Sequence, residues 1–225
     1  MKLNERTGTS GYRSPRAKRP PDISYETEHC VVRDLETSDA CGTICNWLSD
    51  PDIAKALNAP VRALGMDDLL KYIAGHNRIE GHLLGVFDKR TVQILGLWSV
   101  YVDWNLSEFL VNVLIPGNVE GELGAMKETG RPLYAIMFRD LGLQTMRYNV
   151  LASNRVMQDR MRLSGGAGIA APEHISSVAS ATGSGEEAVQ HFRINREQYE
   201  EIVARRSERD AAWREARKSR RDARP

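Results

Sequence analysis

The sequence of 225 residues predicts an α/β (α+β) fold in which helices flank a mixed, mostly antiparallel central sheet. Three β-type runs follow one another between Gly81 and Ile115 with short turns, a pattern typical of an antiparallel meander. A glycine-bearing connector comes next. Apolar residues at three- and four-residue spacing then predict a helix from Arg131 to Leu141. Strand and helix patterns continue to alternate after it, so one mixed domain is expected.

The remaining elements follow from the same periodicity and from chain breakers. An alternating run at Cys30–Leu35 predicts a first strand, and helical patterns follow it before the meander. The predicted helices there are 38–48, a short 52–57 and 66–75. After the long helix, the sequence predicts a strand at 146–151, a helix at 154–163, and strands at 174–179 and 190–195.

Composition divides the chain and limits its functions. Residues 1–24 predict a disordered basic tail, residues 25–203 the folded domain, and residues 204–225 a charged helical or disordered tail. The net charge of +1 makes nucleic acid an unexpected partner, and no apolar run of 18 residues predicts a membrane span. The three cysteines lack metal-ligand spacing, so reduced thiols, no bound metal and a cytoplasmic location are expected. A homodimer remains open.

The predicted order is β-α-α-β-β-β-α-β-α-β-β. Four local segments accompany it: Val32-Arg33-Asp34-Leu35, Ser107-Glu108-Phe109, Val150-Leu151-Ala152-Ser153-Asn154 and Phe192-Arg193-Ile194-Asn195-Arg196-Glu197-Gln198-Tyr199. Together they resemble the GNAT superfamily of acyl-CoA-dependent N-acetyltransferases, and within it the branch of ribosomal-protein N-terminal acetyltransferases. The resemblance covers about Cys30 to Ile202.

The resemblance implies that the fourth and fifth predicted strands splay apart and hold the pantetheine arm of acetyl-CoA between them. Backbone groups near Val113, Leu114 and Ile115 would then bind that arm as an added strand. The family's pyrophosphate motif aligns with Ala125–Gly130, whose binding residues would be Lys127, Glu128, Thr129 and Gly130, with Arg131 beside them. Only Gly130 matches the motif well, and Gly121–Gly124 is an alternative register.

The chemistry that the resemblance implies needs a base for the acceptor ammonium, a donor for the oxyanion and an acid for the leaving thiolate. Glu108, at the start of the fourth strand, is the predicted base, acting directly or through water. The family's usual acid is a tyrosine, but Met161 stands at its position, so Ser164, a water or Asn154 would serve. Asn154 is also expected to cap the following helix and to contact the cofactor.

Two functions follow. The first is an N-acetyltransferase that moves an acetyl group from acetyl-CoA to a primary amine, on a protein N-terminus or a small molecule, by direct transfer. The alternative is a catalytically degraded protein with this fold that binds a ligand or partner. The imperfect phosphate motif and the missing tyrosine keep this alternative open.

Overall fold

The computed structural model describes residues 22–56, 63–114, 116, 122–155, 157–158, 174–179 and 185–222. The predicted helix 154–163 therefore lies only partly within the described residues. The strands form one eight-stranded sheet with the spatial order β1-β2-β3-β4-β5-β6-β8-β7. Only the neighbours β5 and β6 are parallel, which confirms the predicted mixed, mostly antiparallel sheet.

The strand bounds agree closely with the predicted runs, and one short strand precedes them. The strands are β1 (Ser24–Glu26), β2 (Cys30–Asp34), β3 (Gly81–Asp88), β4 (Ile94–Asp103), β5 (Glu108–Leu114), β6 (Thr145–Leu151), β7 (His174–Ala179) and β8 (Glu186–Asn195). The fourth and fifth strands of the prediction are therefore β5 and β6.

The helices flank both faces of this sheet. They are α1 (Gly42–Ser49), α2 (Pro51–Ala56), α3 (Met66–Ala74), α4 (Glu122–Ala135) and α5 (Arg196–Asp222). A 3₁₀ turn at Thr37–Asp39 precedes α1, and a π-helical turn at Ile136–Asp140 continues α4.

Two hydrophobic cores lie on opposite faces of the sheet because successive strand residues point to opposite sides. On one face, Phe109 of β5 meets Phe138 of the π turn edge-on with ring centroids 5.0 Å apart, and Phe138 stacks on Tyr199 of α5. On the other face, Leu114 belongs to a smaller core that contains buried residues of α1 and α3. The first face is therefore covered by α4 and α5, and the second by α1 and α3.

The helix predicted to begin at Arg131 begins nine residues earlier, at Glu122. Gly124 and Gly130 were assigned to the glycine-bearing connector, yet both lie within α4. Gly130 packs closely there, since a Cβ atom at this position would lie 3.3 Å from the Trp98 ring and the ring would have to move by a few tenths of an ångström. Tight packing against the sheet, and not a turn, therefore accounts for this glycine.

The N-terminal hairpin of β1 and β2 is tied to α4. The hydroxyl of Tyr25 donates to the carbonyl of Thr129 at 2.7 Å, and the backbone N–H of His29 donates to the Glu128 carboxylate at 2.7 Å. Ser24, the last residue of the predicted tail, is thus part of the sheet. At the other end α5 runs past residue 203 to Asp222. The domain limits remain a prediction.

Three structural facts bear on the expectations from composition. No helix in the described part of the chain is long and apolar enough to cross a membrane. Cys30, Cys41 and Cys45 are free thiols. No group of three or more His, Cys, Asp or Glu residues suited to a metal occurs among the described residues.

A buried Asp34–His82 pair joins β2 to β3 on the face covered by α4 and α5. His82 is fully buried, and its Nδ1 lies 3.1 Å from Asp34 Oδ1. Asp34 Oδ2 also accepts the backbone N–H of Ile23 at 2.9 Å, so one carboxylate holds both Ile23 and the imidazole. A buried carboxylate is tolerated only with such partners.

We expect His82→Leu to lower the free energy of unfolding by about 3–5 kcal/mol, because it leaves the Asp34 carboxylate buried without its imidazole partner. Urea denaturation measures this loss. The double variant Asp34→Asn/His82→Leu removes the buried charge and keeps an acceptor for Ile23, so it should lose less than His82→Leu alone. An equal or larger loss in the double variant would contradict the role given to this pair.

Candidate functional site

The sheet opens between β5 and β6. These two strands pair only at Glu108–Thr145, Phe109–Met146 and Leu110–Arg147. Beyond that point β5 stays paired with β4 as far as Leu114, and β6 stays paired with β8 as far as Leu151. Each strand thus follows its outer neighbour, and a split opens after the Leu110–Arg147 pair.

Backbone hydrogen bonds fix the closed end of this split. The carbonyl of Ser107, just before β5, accepts the N–H groups of Gln144 at 2.8 Å and Thr145 at 3.2 Å. Ser107 has φ of +54°, a left-handed conformation that aims its carbonyl at the start of β6. The two strands therefore start together and separate along their length.

Glu108 lies at this closed end and is 8% exposed. Its Oε2 accepts a hydrogen bond from Arg147 Nη1 of β6 at 3.2 Å, and its Oε1 accepts one from Arg193 Nη2 of β8. The carboxylate thus joins three strands. Each oxygen accepts one of these hydrogen bonds, and a carboxylate oxygen has a second lone pair that can accept another.

Polar side chains flank the split on the face opposite α4. Asn112 of β5 and Asn149 of β6 each stand two residues beyond the last β5–β6 pair, one on each side of the opening. Asn149 Oδ1 lies 2.8 Å from His191 Nδ1, and His191 Nε2 lies 2.6 Å from Ser176 Oγ. This hydrogen-bond chain fixes the orientation of the Asn149 amide across β6, β8 and β7.

The face of the split that α4 and α5 cover carries an unusual hydroxyl. Tyr148 directly follows the last paired residue of β6, and its ring stacks on Phe192 with centroids 5.1 Å apart. Its hydroxyl oxygen is buried and has no hydrogen-bond partner among the described residues. Burial, with a smaller contribution from nearby Tyr134, raises the pKa of Tyr148 far above its ordinary value, so the group is a neutral donor.

The predicted phosphate residues lie more than one turn inside α4 and not at its start. Thr129 is fully buried, where its hydroxyl donates to the Ala125 carbonyl at 2.6 Å and accepts from Trp98 Nε1 at 3.1 Å. Gly130 is buried against the same tryptophan ring. Neither residue lies at the helix N-terminus, and which of the two registers binds phosphate stays a prediction.

Glu128 contacts the β1–β2 hairpin. His29 holds its carboxylate through the backbone N–H at 2.7 Å and Nδ1 at 3.1 Å. Partial burial works to raise the pKa of Glu128, but hydrogen bonds from Thr27 and His29 keep it below the ordinary value. Glu128 is therefore a paired anion.

Lys127 and Arg131 are exposed on α4 and line one groove. Its volume is about 440 Å³, and its other lining residues are Glu26, Thr27, Gly124, Glu128 and Pro132. Gly124 leaves open space at its Cβ position. The first turn of α4 and these two cations thus form an accessible surface.

The other predicted residues have mixed outcomes. Val113 and Leu114 lie on β5 beyond the last β5–β6 pair, beside the split. Asn154 accepts the backbone N–H of Met157 on Oδ1 at 3.0 Å, which confirms it as a helix cap, while its contact with a cofactor stays a prediction. Ile115, Met161 and Ser164 lie outside the described residues.

Three residues of the site were not predicted from the sequence: Arg147, Arg193 and Tyr148. Each arginine lies at an alternating position of a predicted strand, which was the available signal. The same position was equally compatible with an apolar contact, so the signal did not single the arginines out. Their convergence on Glu108 depends on the parallel β5–β6 register, which no local pattern encodes.

Comparison with known proteins identifies the fold of the chain. No protein-family model matches the sequence, and no curated protein matches it. Solved structures match at 12–18% identity. A GNAT-family acetyltransferase from Bacillus anthracis has a TM-score of 0.63 at 12% identity, covering 78% of this chain and 99% of its own.

Two further structures show the same likeness. Spermidine N-acetyltransferase from Vibrio cholerae, solved with CoA and spermine, has a TM-score of 0.63 at 18% identity, covering 76% of this chain and 98% of its own. Ribosomal-protein-S5-alanine acetyltransferase from Vibrio fischeri has a TM-score of 0.58 at 18% identity, covering 76% and 96%. The GNAT fold predicted from the sequence is therefore confirmed.

We expect Glu108→Gln to lower the free energy of unfolding by about 1–3 kcal/mol, because two guanidinium groups lose their shared anion. Urea denaturation at low salt measures the change. Glu200→Gln is the matched control. Glu200 also pairs with an arginine, Arg139, but at an exposed position where solvent screening should make the loss of stability smaller than in Glu108→Gln. Equal losses in the two variants would contradict a special role for the Glu108 cluster.

Proposed function

We propose that this chain transfers an acetyl group from acetyl-CoA to a primary amine by direct transfer. The observation that carries the proposal is the split between β5 and β6 in a sheet of the GNAT fold. An extended amide-bearing chain such as pantetheine is suited to such an opening, because its amides can hydrogen-bond to exposed strand edges.

The described residues offer three kinds of contact to an acetyl-CoA molecule. The edge of β5 at Val113 and Leu114 offers backbone groups to pantetheine. Tyr148 offers a buried hydroxyl that lacks a partner among the described residues. The start of α4 offers backbone N–H groups that have no partner within the helix, which favour an anion such as pyrophosphate. Lys127 and Arg131 add positive charge farther along α4.

Direct acetyl transfer requires few catalytic groups from the protein. The amine nitrogen bonds to the thioester carbonyl carbon, the C–S bond breaks, and CoA leaves as the thiolate. Two protons leave the acceptor ammonium, one of which is balanced by protonation of the thiolate. Glu108 is our proposed acceptor of the first proton, through a water, since Arg147 and Arg193 engage its oxygens.

The acceptor amine would approach from the face that carries Asn112 and Asn149. The opposite face is packed with Phe109, Val111 and Tyr148 under α4 and α5. Asn112 and Asn149 stand at the opening, where neutral amide groups can orient an acceptor. The acceptor itself, whether a protein N-terminus or a small molecule, is addressed below.

One observation favours the degraded, ligand-binding alternative. Glu108 is bound by two arginines, as a purely structural carboxylate would be. Binding without turnover separates this alternative from the enzyme.

We expect saturating acetyl-CoA to raise the melting temperature by about 5–10 °C, since 100-fold excess over Kd adds about 2.7 kcal/mol and a domain of this size gains about 2–4 °C per kcal/mol. Thermal unfolding monitored with and without acetyl-CoA measures this. Absence of any shift at millimolar acetyl-CoA would exclude the acetyltransferase, and a shift without acetylation of any amine would favour the degraded alternative.

We expect Tyr148→Phe to stabilise the free protein by about 1 kcal/mol, because it removes a buried hydroxyl without a partner, and to weaken acetyl-CoA binding about 3- to 10-fold. Urea denaturation and binding titration measure the two effects. Tyr25→Phe is the matched control: its hydroxyl already has a partner, so that variant should lose stability and keep its affinity. A less stable Tyr148→Phe with unchanged affinity would contradict this contact.

A further inference from the structure

The charged cluster at the closed end of the split consists of Glu108, Arg147 and Arg193. Both arginines contact the carboxylate of Glu108. Glu108 is buried, whereas the arginine side chains are 50% and 48% exposed. The guanidinium groups are thus presented to solvent and the carboxylate lies beneath them.

Arg147 is the better placed of the two arginines to meet a ligand. It belongs to the last β5–β6 pair, directly before the split opens. Its Nη1 donates to Glu108 Oε2 at 3.2 Å. A guanidinium group has five N–H donors in a planar fork, and this contact uses one of them.

Arg147 also shares a face with the residues at the opening. Arg147 and Asn149 are two apart on β6, so their side chains point to the same side of the sheet. Two residues along a strand span about 7 Å, which is close to the length of an arginine side chain. The spacing from Arg147 to Asn149 is therefore within the length of the Arg147 side chain, whose guanidinium contacts Glu108 in this structure.

The other titratable side chains near this face have partners of their own. Asp103, across β4 from Glu108, accepts the turn N–H groups of Asn105 at 3.0 Å and Leu106 at 3.1 Å. His191 lies between Asn149 and Ser176. Arg147, in the last β5–β6 pair, is thus a cation beside the split, and its planar fork suits bidentate binding of a carboxylate.

We infer that the acceptor is an amine that carries a carboxylate close to its nitrogen, and that Arg147 binds this carboxylate. The inference rests on the proposed acetyl transfer and names its acceptor class. The acceptor carboxylate shares Arg147 with Glu108 or replaces Glu108 there, while Arg193 keeps Glu108 in place. Arg147 then decides specificity by orienting the amine toward the split.

Two sources supply this chemistry: a free amino acid, and a peptide with an acidic side chain at its N-terminal residue. The test pairs each acceptor with its uncharged counterpart. Glycine, β-alanine and γ-aminobutyrate are compared with their amides, and a peptide beginning with Asp is compared with one beginning with Asn. Acetylation is followed with acetyl-CoA by release of the free thiol.

The expected result is a preference for the carboxylate member of at least one pair, on the order of 10- to 100-fold in kcat/KM, as for a charge-assisted hydrogen bond. Preference within the amino-acid pairs identifies a free amino acid, and preference within the peptide pair identifies a peptide. In Arg147→Gln the preference should fall to within about 3-fold. Arg147→Lys, which keeps the charge but not the fork, should retain part of it.

Arg139→Gln is the matched control, because Arg139 is also half-exposed and paired with a glutamate, but on the π turn facing α5. It should keep the full preference. Since the readout is a ratio between two acceptors of one variant, a general loss of stability lowers both rates and leaves the ratio unchanged.

Equal rates for both members of every pair would overturn the inference and leave acetyl transfer standing. A preference that survives Arg147→Gln would overturn the role of Arg147. If acetyl-CoA raises the melting temperature but none of these amines is acetylated, the acceptor class is wrong. If acetyl-CoA also fails to bind, the proposed function fails with it.

Discussion

The short parallel pairing of β5 with β6 is the constraint on which the rest of the site depends. Three residue pairs, the Ser107 carbonyl and the Glu108 cluster hold the two strands together at one end. Beyond them, the antiparallel pairs of β5 with β4 and of β6 with β8 keep each strand on its own side. The split is thus a consequence of which strands pair with each other, and it does not depend on a cavity lined by large side chains.

The two faces of the split have different physical character, and this difference assigns them different tasks. The face covered by α4 and α5 is apolar, apart from the Tyr148 hydroxyl, so a polar group of a ligand entering there would meet a hydrogen-bond donor that lacks a partner among the described residues. The other face has amide, guanidinium and imidazole groups at or near the surface. A donor and an acceptor could therefore meet at the split from opposite sides, each in an environment suited to its chemistry.

Much of the fold was accessible from the sequence because strand periodicity in the meander and in β2 and β6 is local information. The start of α4 was predicted wrongly, since Gly124, Gly130 and Pro132 weaken a helix in isolation, and only packing against Trp98 explains Gly130. Glu108 was picked out by the resemblance to the family, which has an acidic residue at the start of this strand. Its partners Arg147 and Arg193, and the unpartnered Tyr148, depend on long-range register and packing, which the periodicity of single segments does not contain.

The order of pairing has a consequence for how the molecule assembles. The meander β3-β4-β5 joins strands that are neighbours in sequence, so it closes short loops and should form early. The β5–β6 pair must wait for all of α4, which lies between the two strands in the chain. The same helix is held by Tyr25 and His29 from the N-terminal hairpin. A nascent chain released from the ribosome before β6 and β8 would therefore have an ordered meander but no split, and its unpaired β5 edge would be open to aggregation.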